Sequence, residues 1–327
     1  MIEKALTGGR KYWGLLGFLA TFALLGLYFY LRQFNEGLAI TGLARDVPWG
    51  LYISQFTFLV GVAASAVILV LPYYLHDFKA FGRIVVLGEC LAIAAVLMCM
   101  LFIFVDMGQP TRVMNVILYP MPNSVMFWDM TVLSGYLGLN VLISHVTFGS
   151  EVRGTPPPRW IKPFILLSIP WAVSIHTVTA FLYSGLGGRP FWLTAILAPR
   201  FLATAFAAGP ALLILLALLL RKFTKFDAGK KAIQKLGTIA VYAMLINVFF
   251  LAVEIFTVVY SNIPEHMHHF QYLFFGLDGK DRLVPWMWTS QILGIISVLV
   301  LLTPKVRAKE TVLALGCGGL IVAIWIE

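Results

Sequence analysis

Five ionisable side chains stand inside, or at the mouths of, long apolar runs: Asp106, Asp129, His176, Arg200 and Glu254. An ionisable group at the centre of a bilayer costs at least ~2.5–3.5 kcal/mol on insertion scales, which makes each of them a candidate for function. The chemistry open to them is proton exchange: a neutral imidazole gives or takes a proton near pH 7, and carboxyls removed from water work in a similar range. Spacing adds neighbours. His176, Thr179 and Tyr183 stand at i, i+3 and i+7, one polar stripe on one helix face, and Glu254 shares a face with Thr257. Glu89 and His145, with Asn140 about a turn above His145, lie near the other ends of their runs. These three are candidates for a proton path to the opposite side, although residues a turn from an interface also reach it simply by snorkelling.

The elements that must position these groups are membrane helices. Of 327 residues, 60% are hydrophobic and 12% charged, against roughly one charged residue in four for a soluble domain. The apolar residues fall in runs near the ~20 residues that cross ~30 Å of hydrocarbon, which excludes a β-barrel of short alternating strands. About nine spans are expected: 13–31, 48–72, 84–105, 124–147, 163–183, 197–220, 236–260, 284–303 and 311–325. The fold class is an all-α integral membrane bundle, a single transmembrane domain. The net charge of +9 does not form a nucleic-acid-binding stripe. Seventeen of the 24 Lys and Arg fall in the amino terminus and in the loops after spans two, four, six and eight, which places the amino terminus on the cytoplasmic side. The first apolar run is too long for a cleavable signal peptide and lacks a small-residue cleavage site. Ending at Glu327 on the edge of span nine, the chain is expected to lack a further carboxyl-terminal helix.

On this topology the five groups share one depth band toward the outer face. A polar pocket opening outward is the reading that follows, since helical bundles form small-molecule sites between their helices. The plainer alternative is that these groups pair with one another as glue between helices. A secondary transporter would instead place its charges at the midplane among interrupted helices, and a structural anchor would need none of them.

The outer loops carry Pro, Gly and aromatic residues. Trp49, Trp128 and Trp192 are expected of any interfacial belt. The stretch Gly185–Gly188 lacks the Lys-Ser/Thr pair of a phosphate loop and reads as a tight turn. His266, His268 and His269 lack the scaffold of a metal site, and His145 and His176 lie near opposite faces, unlike a bis-histidine haem pair. Cys90, Cys99 and Cys317 sit in apolar spans and cannot hold a cluster. No metal, haem or iron–sulfur centre is therefore expected in this chain.

Several strings resemble the NrfD-like family, the membrane subunits of polysulfide reductase type. They are Asp46-Val47-Pro48-Trp49-Gly50, Ser174-Ile175-His176-Thr177-Val178-Thr179-Ala180-Phe181, Arg189-Pro190-Phe191-Trp192, Ile196-Leu197-Ala198-Pro199-Arg200-Phe201, and Glu254 followed by Tyr272-Leu273-Phe274-Phe275-Gly276. The similarity covers essentially the whole chain and looks closest to the ten-helix, DsrP-type branch of sulfate reducers, with the Hmc and Qrc membrane subunits near it. The resemblance implies ten helices arranged as two four-helix bundles, 48–183 and 197–325 here, plus flanking helices. It also implies an exchangeable menaquinone near the periplasmic face, beneath a ferredoxin-like iron–sulfur subunit, in a prokaryotic inner-membrane complex with further cytochrome and cluster-bearing subunits. Electrons would pass between menaquinol and that partner in dissimilatory sulfur metabolism. For quinone chemistry the residues themselves suggest His176 at one carbonyl, Glu254 or Asp129 as the proton relay, and Tyr183 or Thr179 orienting the ring, with Asp106 and Arg200 completing the site.

Overall fold

The computed structural model describes residues 7–45, 47–76 and 78–327, so Asp46 of the first motif lies outside the described residues. Helices dominate. The long ones are α1 (Arg10–Glu36), α2 (Leu51–Tyr74), α3 (Gly82–Asp106), α4 (Val125–Val152), α5 (Lys162–Ser184), α6 (Leu197–Phe223) and α7 (Lys230–Ser261). A shorter α8 (Pro264–Phe274) precedes α9 (Val284–Leu302) and α10 (Glu310–Ile326). Asn262, at φ 49°, closes α7 in the left-handed conformation, and Pro264 opens α8 where its missing N–H costs nothing.

Eight of these helices are long and apolar enough to cross a membrane; α10, with 17 residues, is apolar but shorter. The molecule is a polytopic helical membrane protein, as the apolar runs predict. The main departure is α8, which occupies a stretch expected to be an irregular outer loop. Smaller ones are the extensions of α4 to Val152 and of α7 back to Lys230.

Packing follows two rings that meet along α6. In the first, α2 lies against α3 and α5, and α4 closes the ring between them; in the second, α6 lies against α7 and α10, and α9 closes it. α6 also packs on α2 and α5, so the two rings share a seam. Small residues meet across it: Gly61 of α2 faces Ala205 of α6, and Gly209 of α6 faces Ser65 of α2. Without hydrophobic driving force between helices in lipid, such close backbone approach is what gains van der Waals contact.

At the seam α2 is broken. The amides of Ser65 and Ala66 bond three residues back, to Val62 and Ala63, and the Tyr136 hydroxyl donates to the Ala63 carbonyl at 3.2 Å. α2 then ends in a π turn, Leu71–Leu75. A Cβ at Gly209 would overlap both Cβ and Oγ of Ser65 at this break. Gly209→Ala is therefore expected to cost about 1–3 kcal/mol through overpacking, read as a lower unfolding temperature of the detergent-purified protein; an unchanged temperature would show that the seam yields freely.

Candidate functional site

Asp106, Asp129, His176, Arg200 and Glu254 all lie in the halves of their helices farthest from the amino-terminal end of the bundle. The sequence treats them as one pocket, but the fold divides them among four settings.

His176, Tyr183 and Arg200 line a cavity of about 430 Å³ between α2, α5, α6, α9 and α10. His176 is 2% exposed, and neither ring nitrogen has a hydrogen-bond partner among the described residues. Its Cε1–Nε2 edge faces Gly61, where an added Cβ would stand 3.6 Å from both atoms. With no side chain at Gly61, α2 leaves the space beside that imidazole edge unfilled. Leaving a buried polar atom unpaired costs about 1–3 kcal/mol, so such an edge is a place for a ligand's polar atom.

Most of the rest of the wall is aromatic and apolar, broken by Ser54, Thr57 and Thr204 and by the charged Arg200 and Glu327. The Tyr183 ring lies edge-on to Trp49 at 5.3 Å, Trp192 at 5.0 Å and Phe201 at 5.9 Å, and Phe201 also approaches His176 at 6.3 Å. The Tyr183 hydroxyl pairs closely with Thr57 Oγ1, fixing the ring from α2. Trp286 and Trp325 complete the lining from α9 and α10.

Asp129 and Thr179 stand behind this wall. Thr179 donates to Asp129 Oδ1 at 2.7 Å, with exposures of 0% and 3%, so the carboxylate is held by α5 from within the first ring. Thr179 therefore shares the buried face of α5 with His176 and Tyr183, yet it turns to α4 and does not line the cavity. Asp106 is set apart at the end of α3, with Oδ1 buried and unpartnered among the described residues. Nearby, Gln33 of α1 donates to the Val105 carbonyl at 2.6 Å and accepts from the Tyr52 hydroxyl at 2.7 Å.

Arg200 marks the border between two spaces. Its guanidinium pairs closely with Glu254 on one nitrogen and Glu327 on the other, and Asn247 Nδ2 donates to Glu327 Oε2 at 3.1 Å. Glu254 in turn lines a second cavity of about 280 Å³ with Thr257, Thr194 and His266, and Phe191 borders both cavities. His269, close to His266 on α8, packs against the Phe191 ring at 5.6 Å; burial, then the neighbouring His266 and His268, push its pKa down.

Glu89 lies in the amino-terminal half of the first ring. It is 2% exposed, accepting from Thr147 at 3.1 Å and Ser144 at 3.4 Å, with Oε1 unpartnered among the described residues. Asn140 is buried on α4, donating to the Tyr136 carbonyl at 2.8 Å. His145 is exposed on the outer face of α4, turned away from Glu89, because Ser144 and Thr147 occupy the inward face.

Sequence reasoning passes over Thr57, Asn247 and Glu327, and weighs His266 only as a metal ligand. Asn247 carries a signal, since it stands seven residues before Glu254 and so on the same face of an apolar helix.

A helical membrane protein with a buried, aromatic-lined cavity and an ion-pair cluster on its wall is the class these features define. The chain belongs to the NrfD family: the family description "Polysulphide reductase, NrfD" matches residues 39–326. It is 28% identical over 324 residues to a putative dimethyl sulfoxide reductase membrane subunit of Halobacterium salinarum, covering 92% of this chain and 72% of the relative. It is 25% identical over 356 residues to a selenate reductase subunit of Mesobacillus selenatarsenatis, covering 97% and 79%. It is also 28% identical over 299 residues to the Hdr-like menaquinol oxidoreductase integral membrane subunit of Archaeoglobus fulgidus, covering 90% and 72%. The names of these relatives describe subunits of reductases and of a menaquinol oxidoreductase.

Proposed function

We propose that the cavity beside His176 binds a quinone of the menaquinone type, and that the chain links the quinol pool to an iron–sulfur subunit docked at the end of the bundle bearing Trp49 and Trp192. The observation that carries this is the His176 imidazole, buried with both nitrogens unpartnered among the described residues, on the wall of a largely aromatic and apolar cavity. The menaquinol named in the Archaeoglobus fulgidus relative supports the same chemistry. The residues present fit such a group: a flat apolar ring suits Tyr183, Trp192 and Phe201, and a carbonyl or hydroxyl oxygen suits the unpartnered imidazole.

A bound quinol supplies two electrons and two protons. His176 holds one ring oxygen by a hydrogen bond. Tyr183, fixed by Thr57, limits the orientation of the ring, and the aromatic wall excludes water. Asp129, tied to Thr179 behind the wall, fixes the register of α4 against α5 and with it the His176 face. Electrons leave to a periplasmic ferredoxin-like partner, accompanied in the complex by cytochrome and cluster-bearing subunits. The finer reading keeps the amino terminus cytoplasmic in a prokaryotic inner membrane and assigns the complex to dissimilatory sulfur metabolism of the DsrP type.

The test is fluorescence quenching by a menaquinol analogue added to the purified native complex. Saturable quenching that menaquinone competes away is expected; no saturable binding would remove the quinone reading and leave an anchor for other subunits.

A further inference from the structure

The smaller cavity lies outside the proposed quinone site, yet the two spaces share a wall of charged groups. Arg200 faces the larger cavity, Glu254 faces the smaller, and the two are paired; Glu327 pairs with Arg200 from the larger side. All three side chains are largely enclosed, at 14%, 11% and 9% exposure. One guanidinium against two carboxylates leaves one carboxylate in excess, and that excess is where a proton can be bound and released. The neighbouring Asn247 adds a neutral donor to Glu327 and no charge.

On its other side the smaller cavity holds Thr194, Thr257 and His266, polar groups that can keep water in place. Its volume of about 280 Å³ exceeds the roughly 30 Å³ share of a single water several-fold. Leu193, Ala195 and Thr257 of its rim are exposed and His266 is half-buried, so the space opens at the surface beside α8.

We propose that Glu254 and the smaller cavity form the proton exit of the larger one, with His266 as the outermost station. The proposal rests on the quinone reading. A proton leaves the hydroxyl of a quinol held at His176 and is taken by the excess carboxylate of the Arg200 cluster. Glu254 passes it to water in the smaller cavity, and His266 accepts it and returns it to the bulk. The two electrons leave separately, to the iron–sulfur partner, and the second proton follows the same path after the first. The charged and titratable groups facing Glu254 are Arg200 on α6, Glu327 at the end of α10 and His266 on α8, so any pH profile reports this set.

The test uses the native complex with Glu254→Gln, Glu254→Asp and, on the surface helix, His266→Ala. Glu254→Gln leaves Arg200 balanced by Glu327, so assembly should survive. Menaquinol-analogue binding is expected to stay within about threefold, while quinol turnover falls roughly 10²-fold, the scale of a lost proton-transfer group. Glu254→Asp should restore much of the rate, and His266→Ala should slow turnover in a way that added imidazole reverses. Wild-type turnover and an unaltered pH profile in both Glu254→Gln and His266→Ala, with binding intact, would overturn the exit. Absence of analogue binding in the unaltered complex would overturn the exit together with the quinone reading, which distinguishes the two failures.

Discussion

Replacing His176 with Ala is expected to weaken menaquinol-analogue binding about 10- to 100-fold, the equivalent of the roughly 1–3 kcal/mol attached to a buried polar partner. Turnover should fall further, by about 10²-fold or more, because the same imidazole holds the oxygen from which a proton departs. His176→Phe separates hydrogen bonding from bulk. It restores an aromatic ring against Phe201 and Gly61 but no nitrogen, so it should resemble Ala in binding while unfolding closer to the wild-type temperature. If both variants bind the analogue as the unaltered complex does, the oxygen contact lies elsewhere. Unchanged turnover in an assembled His176→Ala complex would return the chain to a purely anchoring role.

Arg200→Met is expected to be the most damaging single change to stability. It leaves Glu254 and Glu327, both largely enclosed, without their shared cation, and breaking a buried ion pair from one side costs about 3–5 kcal/mol. A large fall in unfolding temperature should follow, with α6, α7 and α10 losing their common tie near the cavity. The loss should be recoverable, since removing both carboxylates in the Arg200→Met background leaves a neutral cluster of similar shape. A triple variant (Arg200→Met with Glu254→Gln and Glu327→Gln) markedly more stable than Arg200→Met alone would show the coupling. Equal stability of the two would mean that the pairs hold nothing together.

The spans are readable from the sequence because lipid makes two demands at once, about 20 apolar residues per crossing and all backbone groups satisfied within each helix. Position along a helix is readable for the same reason, and it puts Asp129, His176, Arg200 and Glu254 in the same half of the bundle. Which neighbour each side chain faces is not. Thr179 and His176 share a face of α5, yet a helix face several residues wide touches two partners, and Thr179 meets α4 while His176 meets α2 and α6. The split into two cavities depends on where Arg200 turns, a tertiary fact with no local code. His145 is close to Asn140 along the chain, but five residues rotate a helix by about 140°, which carries it to the opposite face. The signal for α8 is present in Asn262 and Pro264, a left-handed stop followed by a first-turn proline, and is outweighed by the polar, histidine-rich composition.

Along α1 only Tyr12 and Gln33 are buried. Just before the helix, Gly8 bridges to Thr224 beyond α6; near its other end, Gln33 joins Val105 and Tyr52. Its 27 residues reach about 40 Å, longer than ~30 Å of hydrocarbon. A free helix of that length would meet a thicker or thinner bilayer by leaning. This one is a strut pinned at both ends, and the spacing of its pins sets its lean. The adjustment then passes to the ring of lipids around it, which must stretch or compress at fractions of a kcal/mol per Å.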